Sequence, residues 1–76
     1  MPNDLANRIE EELRPLVGIV LARVSVDLES KRIGKSVETI DRFDLPRIAD
    51  NLAMQLRLLV GEETATTAAR RVREIR

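Results

Sequence analysis

Leu16-Val17-Gly18-Ile19-Val20-Leu21-Ala22-Arg23-Val24-Ser25-Val26-Asp27-Leu28 is the stretch on which the fold turns. Nine of its thirteen positions are apolar. Projected at roughly 100° per residue, its apolar side chains fan over roughly 220° of a helix surface. A helix at the edge of a monomeric bundle needs about half of that. The segment Val24 to Glu29 also alternates strictly, and its valines favour strands. A helix is the better reading. The stripe continues without a break from upstream, and no second strand pattern exists to pair with it.

Working back from this stretch, Leu5, Ile9, Leu13, Leu16, Val20 and Val24 recur every three or four residues. This spacing predicts one long helix over about 3–32, started by Asn3 or Asp4. Pro15 removes a hydrogen-bond donor, so a kink or break is expected near residues 11–15. Lys31, Arg32 and Gly34 form a stop signal: cations for the helix dipole, then a glycine for a left-handed turn.

Working forward, Ser36 to Arg42 reads as a short second helix with Ser36 as its cap. Asp44-Leu45-Pro46 marks the start of a third, a capping carboxylate followed by proline in the first turn. Leu45, Ile48, Leu52, Leu56 and Leu59 are its core stripe, and Gly61 ends it. A fourth runs from about Glu62 to Arg76, with Ala65, Ala68, Ala69, Val72 and Ile75 as a narrow seam. No low-complexity segment or internal repeat is apparent. The expected fold is an all-α single domain over 1–76. It is a small bundle of about four helices, one long and kinked, one short and two medium, completed by oligomerisation.

Composition narrows the function. A 76-residue chain buries only about 60% of its unfolded surface, so it is short of core. Small domains offset this with disulfides, a metal or a partner chain. The sequence holds no cysteine and no histidine, which leaves a partner chain or unusually good helix packing. The same absences remove the usual general base and thiol nucleophile, so no enzyme is expected and no cofactor. Glu10, Glu11 and Glu12 share one turn with nothing to tune them. Gly34-Lys35-Ser36 resembles the end of a phosphate-binding loop, but Glu29 stands where that motif requires glycine.

Formal net charge is zero, which argues against a chain built to grip nucleic acid. The halves differ, with net −3 over residues 1–30 and net +3 over 31–76. The N-terminus lacks a basic start followed by an apolar run, and no segment reaches the ~20 apolar residues a bilayer requires. The expected location is cytoplasmic, without a membrane partner.

The leading functional expectation is a non-enzymatic protein–protein interaction domain with a regulatory or scaffolding role, working as a homodimer, with a different protein as the other candidate partner. Its interface is drawn on Leu16, Ile19, Val20, Arg23, Val24 and Asp27, with Arg23 and Asp27 paired to each other at i, i+4. Met54 and Leu58, ringed by Arg47, Asn51 and Gln55, form an added patch. The alternative is a compact dimeric nucleic-acid-binding regulator. It would use Arg70, Arg71, Arg73 and Arg76 as contacts for phosphate or an acidic partner. A helix-turn-helix from Ser36–Arg42 and the third helix is a weaker variant of it.

Overall fold

The computed structural model describes residues 1–76. Four α-helices form it, with no strand: α1 (Asp4–Val17), α2 (Ile19–Arg32), α3 (Leu45–Val60) and α4 (Glu62–Arg73). Residues 24–29 are helical, as the continuous stripe requires.

The expected long helix is two helices, and it breaks at Gly18 rather than at residues 11–15. Pro15 falls in the last turn of α1, where little ladder remains to be lost. Gly18 still donates to the Arg14 carbonyl at 2.9 Å, then takes φ 88° and ψ 167°. That backbone region belongs almost wholly to glycine. The chain reverses there, and α2 folds back along α1.

The expected helix over Ser36–Arg42 is absent. Ser36 caps only an isolated turn, accepting from the Thr39 and Ile40 amides. A short 3-10 turn, Arg42–Asp44, follows. Asp44 does not cap α3 through its side chain. Its carboxylate instead accepts from the Asp41 amide at 2.9 Å and from Lys35 at 2.8 Å. Two clasps hold this connector. The end of α2 closes as a Schellman turn, with Gly34 donating to Lys31 and Lys35 to Ser30. Asn3 caps α1 by accepting from the Ala6 amide, and its own side-chain amide donates to the Ile40 carbonyl at 2.9 Å.

The second half repeats the plan of the first. Gly61 alone joins α3 to α4, at φ 91° and ψ 163°. An offset of 43 residues carries Ala6, Leu13, Arg14, Leu16, Val17, Gly18 and Ala22 onto Ala49, Leu56, Arg57, Leu59, Val60, Gly61 and Ala65. Burial follows the same offset. Ile9 and Leu52, Ser25 and Ala68, Val26 and Ala69, and Glu29 and Val72 are all buried pairs. The fold is thus two glycine-joined helical hairpins. Across them α1 packs on α4 and α2 on α3. The repeat is not apparent in the sequence because only these seven pairs are identical.

The core is purely aliphatic, from Ile9 and Leu13 through Leu52 and Leu56 to Val72. Phe43, the only aromatic residue, is exposed on the connector.

Candidate functional site

Helix α2 is oriented against its own composition. It buries Ala22, Ser25, Val26, Glu29 and Ser30, and it leaves Ile19, Val20, Val24 and Leu28 exposed. Val20 is 76% exposed. The buried face is small or polar, with Val26 its one larger aliphatic side chain. Ser30 returns its hydroxyl to the Val26 carbonyl at 2.7 Å. Gln55 of α3 donates to the Ser25 hydroxyl at 3.1 Å, which ties the two helices together.

Glu29 is the anomaly on that face. Its side chain is fully buried and neither carboxylate oxygen has a hydrogen-bond partner. Arg32 lies 3.3 Å from one oxygen, an ion-pair distance without hydrogen-bond geometry. Burial pushes the Glu29 carboxyl above its ordinary 4.5, against the pull of Arg32.

The exposed apolar face of α2 borders a second one on α3. The Ser25–Gln55 contact fixes which flanks meet. On α2, Leu21, Leu28 and Val24 follow Ser25 around the helix away from the core. On α3, Asn51, Leu58 and Met54 follow Gln55 in the same way. Met54 and Leu58 are exposed, Leu58 at 87%. The two stripes therefore lie on either side of one seam.

The charged residues of this surface are arranged differently from the sequence expectation. Arg23 and Asp27 do not pair with each other. Arg23 reaches across to Glu10 of α1 at 3.0 Å, and Asp27 bonds Lys31 at 3.1 Å. Both remain accessible at the rim of the apolar stripe. Leu16 leaves the proposed interface. It belongs to α1, is half-buried and packs on the core.

The C-terminal arginines do not form one surface. Arg73 bonds Asp50 of α3 at 2.8 Å, and Arg70 lies 3.9 Å from Glu74. Arg71 is exposed, and Arg76 lines a separate concavity with Arg8, Arg42 and Asp4. The helix-turn-helix variant loses its first helix with the Ser36–Arg42 correction, and Asp50 is engaged by Arg73.

An open groove of about 380 Å³ lies between α1, α2 and the connector. Its polar lining includes Glu10 and Arg23, which are already paired. No three acidic side chains lie close enough to hold a metal ion. No helix is long and apolar enough to cross a membrane.

Comparison with known protein families, characterised proteins and solved structures finds no match.

Proposed function

We propose that this chain is a non-enzymatic helical assembly domain. It works as a homodimer in a regulatory or scaffolding role in the cytoplasm, and α2 is its interface helix. One observation carries this reading. The outer faces of α2 and α4 occupy equivalent places in two similar hairpins, yet their chemistry is opposite. Ile19, Val20 and Leu28 on α2 stand where α4 has Glu62, Glu63 and Arg71. Val24 stands where α4 has Thr67. On the neighbouring helices, Met54 and Leu58 of α3 stand where α1 has Glu11 and Pro15. The fold itself therefore makes no demand for apolar side chains at these positions. They serve something outside the chain.

The area fits that purpose. Val20, Val24, Leu28, Met54 and Leu58 are each between 41% and 87% exposed. At roughly 60–120 Å² per whole aliphatic side chain, they offer on the order of 200–400 Å² of apolar surface. A standard interface takes about 800 Å² from each partner, a little over half of it apolar. Arg23, Asp27, Lys31 and Asn51 supply the polar rim.

Sedimentation equilibrium over a hundredfold range of concentration tests the reading. A dimer is expected. A well-folded monomer throughout the range overturns it. The nucleic-acid alternative rests on the C-terminal arginines, and their separation over several faces does not favour it.

A further inference from the structure

We propose that two copies pair α2 against α2 in antiparallel orientation, with Val24 beside the twofold axis and Arg23 of each copy on Asp27 of the partner subunit. This rests on the assembly reading above and specifies its geometry. Three features of α2 lead to it.

The first is the stripe. Val20, Val24 and Leu28 recur every four residues along the outer face and are all exposed. Reversing a second helix about Val24 sets Val20 against the partner's Leu28. Apolar side chains then meet along the whole stripe, and one small residue meets its own copy at the centre.

The second is charge. Arg23 and Asp27 lie on the same flank of the stripe, one turn apart, with opposite signs. Their midpoint is Ser25, within one residue of Val24. Antiparallel reversal about this point brings Arg23 to the partner's Asp27, twice per dimer. Parallel pairing about a twofold along the helix axes places the Arg23–Asp27 flanks of the two copies on opposite sides of the contact, so neither charge finds its complement. The surface is thus self-complementary in one direction only. That singles out a second copy of this chain as the occupant and sets its direction. The helix dipoles also oppose each other in this arrangement.

The third is that the internal bonds survive. Arg23 already holds Glu10 through Nε, and Asp27 holds Lys31 through one oxygen. A guanidinium carries five donors and a carboxylate two acceptor oxygens. The partner contact adds to these pairs without breaking them.

The chain has no cysteine, so single-cysteine variants give an unambiguous test. Facing backbones at the crossing of two packed helices come within disulfide reach, Cα to Cα about 4.4–6.8 Å. Val24→Cys should therefore form a covalent dimer under mild oxidation. Val20→Cys and Leu28→Cys should not crosslink alone, because each is offset from its own copy by about 12 Å along the axis. Mixing these two variants should produce the heterodisulfide. Charge reversal gives a second readout. Arg23→Asp or Asp27→Arg should each weaken association about tenfold, since every dimer holds two such pairs, and the double exchange should restore it.

The outcomes separate. A solution dimer in which Val24→Cys stays reduced while Val20→Cys crosslinks overturns the antiparallel register but leaves the assembly reading intact. A monomer at all concentrations overturns both. Covalent capture at Val24 alone, with rescue by the charge exchange, establishes the arrangement.

Discussion

Glu29 and Val72 occupy equivalent positions in the two hairpins, and both side chains are fully buried. One is a carboxylate with no hydrogen bond and the other a well-packed aliphatic group. The second hairpin thus demonstrates what the site accepts. Replacing a buried, poorly satisfied charge by a hydrophobic group of similar shape is often stabilising by about 1–4 kcal/mol. Glu29→Val should raise the unfolding free energy by about 1–3 kcal/mol at neutral pH, read by urea denaturation. A loss of stability would mean that the carboxylate is needed where it stands.

The same residue sets the pH dependence. The folded-state pKa of Glu29 is raised, so the folded chain holds this proton more tightly than the unfolded chain. Stability from this group is then full below 4.5 and declines as pH rises through and above that value. Two other groups act in the opposite sense. Burial would raise the Asp44 pKa, but its bonds from Lys35 and the Asp41 amide, with the charges of Lys35 and Arg47, hold it below 3.8. Glu38 is lowered from 4.5 by its hydrogen bond and charge contact with the terminal ammonium. Their stabilisation is present above those values and is lost as pH falls through the folded pKa. The native chain should therefore lose stability on both sides of the mildly acidic range. Glu29→Val should lose it only on the acid side. Denaturation midpoints measured from pH 3 to pH 9 check this, and parallel profiles for the two proteins would refute it.

The helical class and most helix ends were legible in the sequence because they rest on local chemistry. Asn3 caps α1 and Gly34 closes α2, each by a bond within a few residues, and Gly61 ends α3 through its own positive-φ backbone. The break at Gly18 was harder to read. Pro15 carries the stronger warning, yet a proline in the last turn costs little, whereas the reversal needs a backbone that only glycine adopts freely. The surplus of apolar positions between Ile19 and Leu28 was also legible. Which of them face inward was not. Periodicity favours burying the most apolar side, and here Ala22 and Ser25, the counterparts of the buried Ala65 and Ala68 on α4, face inward instead. Glu29 gave no signal at all, since a glutamate in a helix reads as surface. Aligning the two Leu-Val-Gly segments would have placed it opposite Val72.

The paired glycines predict a paired cost. Nothing lies within 4 Å of a methyl group added at Gly18 or Gly61, so an alanine there meets no clash. The penalty is conformational, because φ near +90° with ψ near 165° is strained for an L-residue. Gly18→Ala and Gly61→Ala should each destabilise by about 1–3 kcal/mol and by similar amounts. A D-alanine at Gly18 in a chemically synthesised chain should recover the loss, since its mirror-image preference suits this backbone. Failure of the D-residue to do so would locate the cost elsewhere.

Asn3 does two jobs that substitution can divide. Its Oδ1 caps α1 at 2.8 Å, and its Nδ2 holds the connector at the Ile40 carbonyl. Asn3→Asp keeps the acceptor and discards the donor. Asn3→Ala discards both and should cost about 1–2 kcal/mol. Hydrogen exchange distinguishes them. The aspartate variant should lose protection in residues 36–41 while the first turn of α1 stays protected. Equal loss in both places would mean that the two bonds act as one.

Val20→Glu separates folding from assembly. Val20 is exposed in the single chain, and the equivalent position on α4 is itself a glutamate, Glu63. The hairpin therefore tolerates a carboxylate here, and the isolated fold should change by no more than about 0.5 kcal/mol. At the interface the same change buries two carboxylates, one per copy, beside the partner's Leu28. A buried unpaired charge costs several kcal/mol, so association should fall by a hundredfold or more. The native chain should show a melting temperature that rises with protein concentration, because dimerisation stabilises by mass action. The variant should melt at the temperature of the native chain at high dilution and show no concentration dependence. A variant that fails to fold as a monomer would mean that Val20 supports the hairpin itself, and the contrast between α2 and α4 would then lose its force.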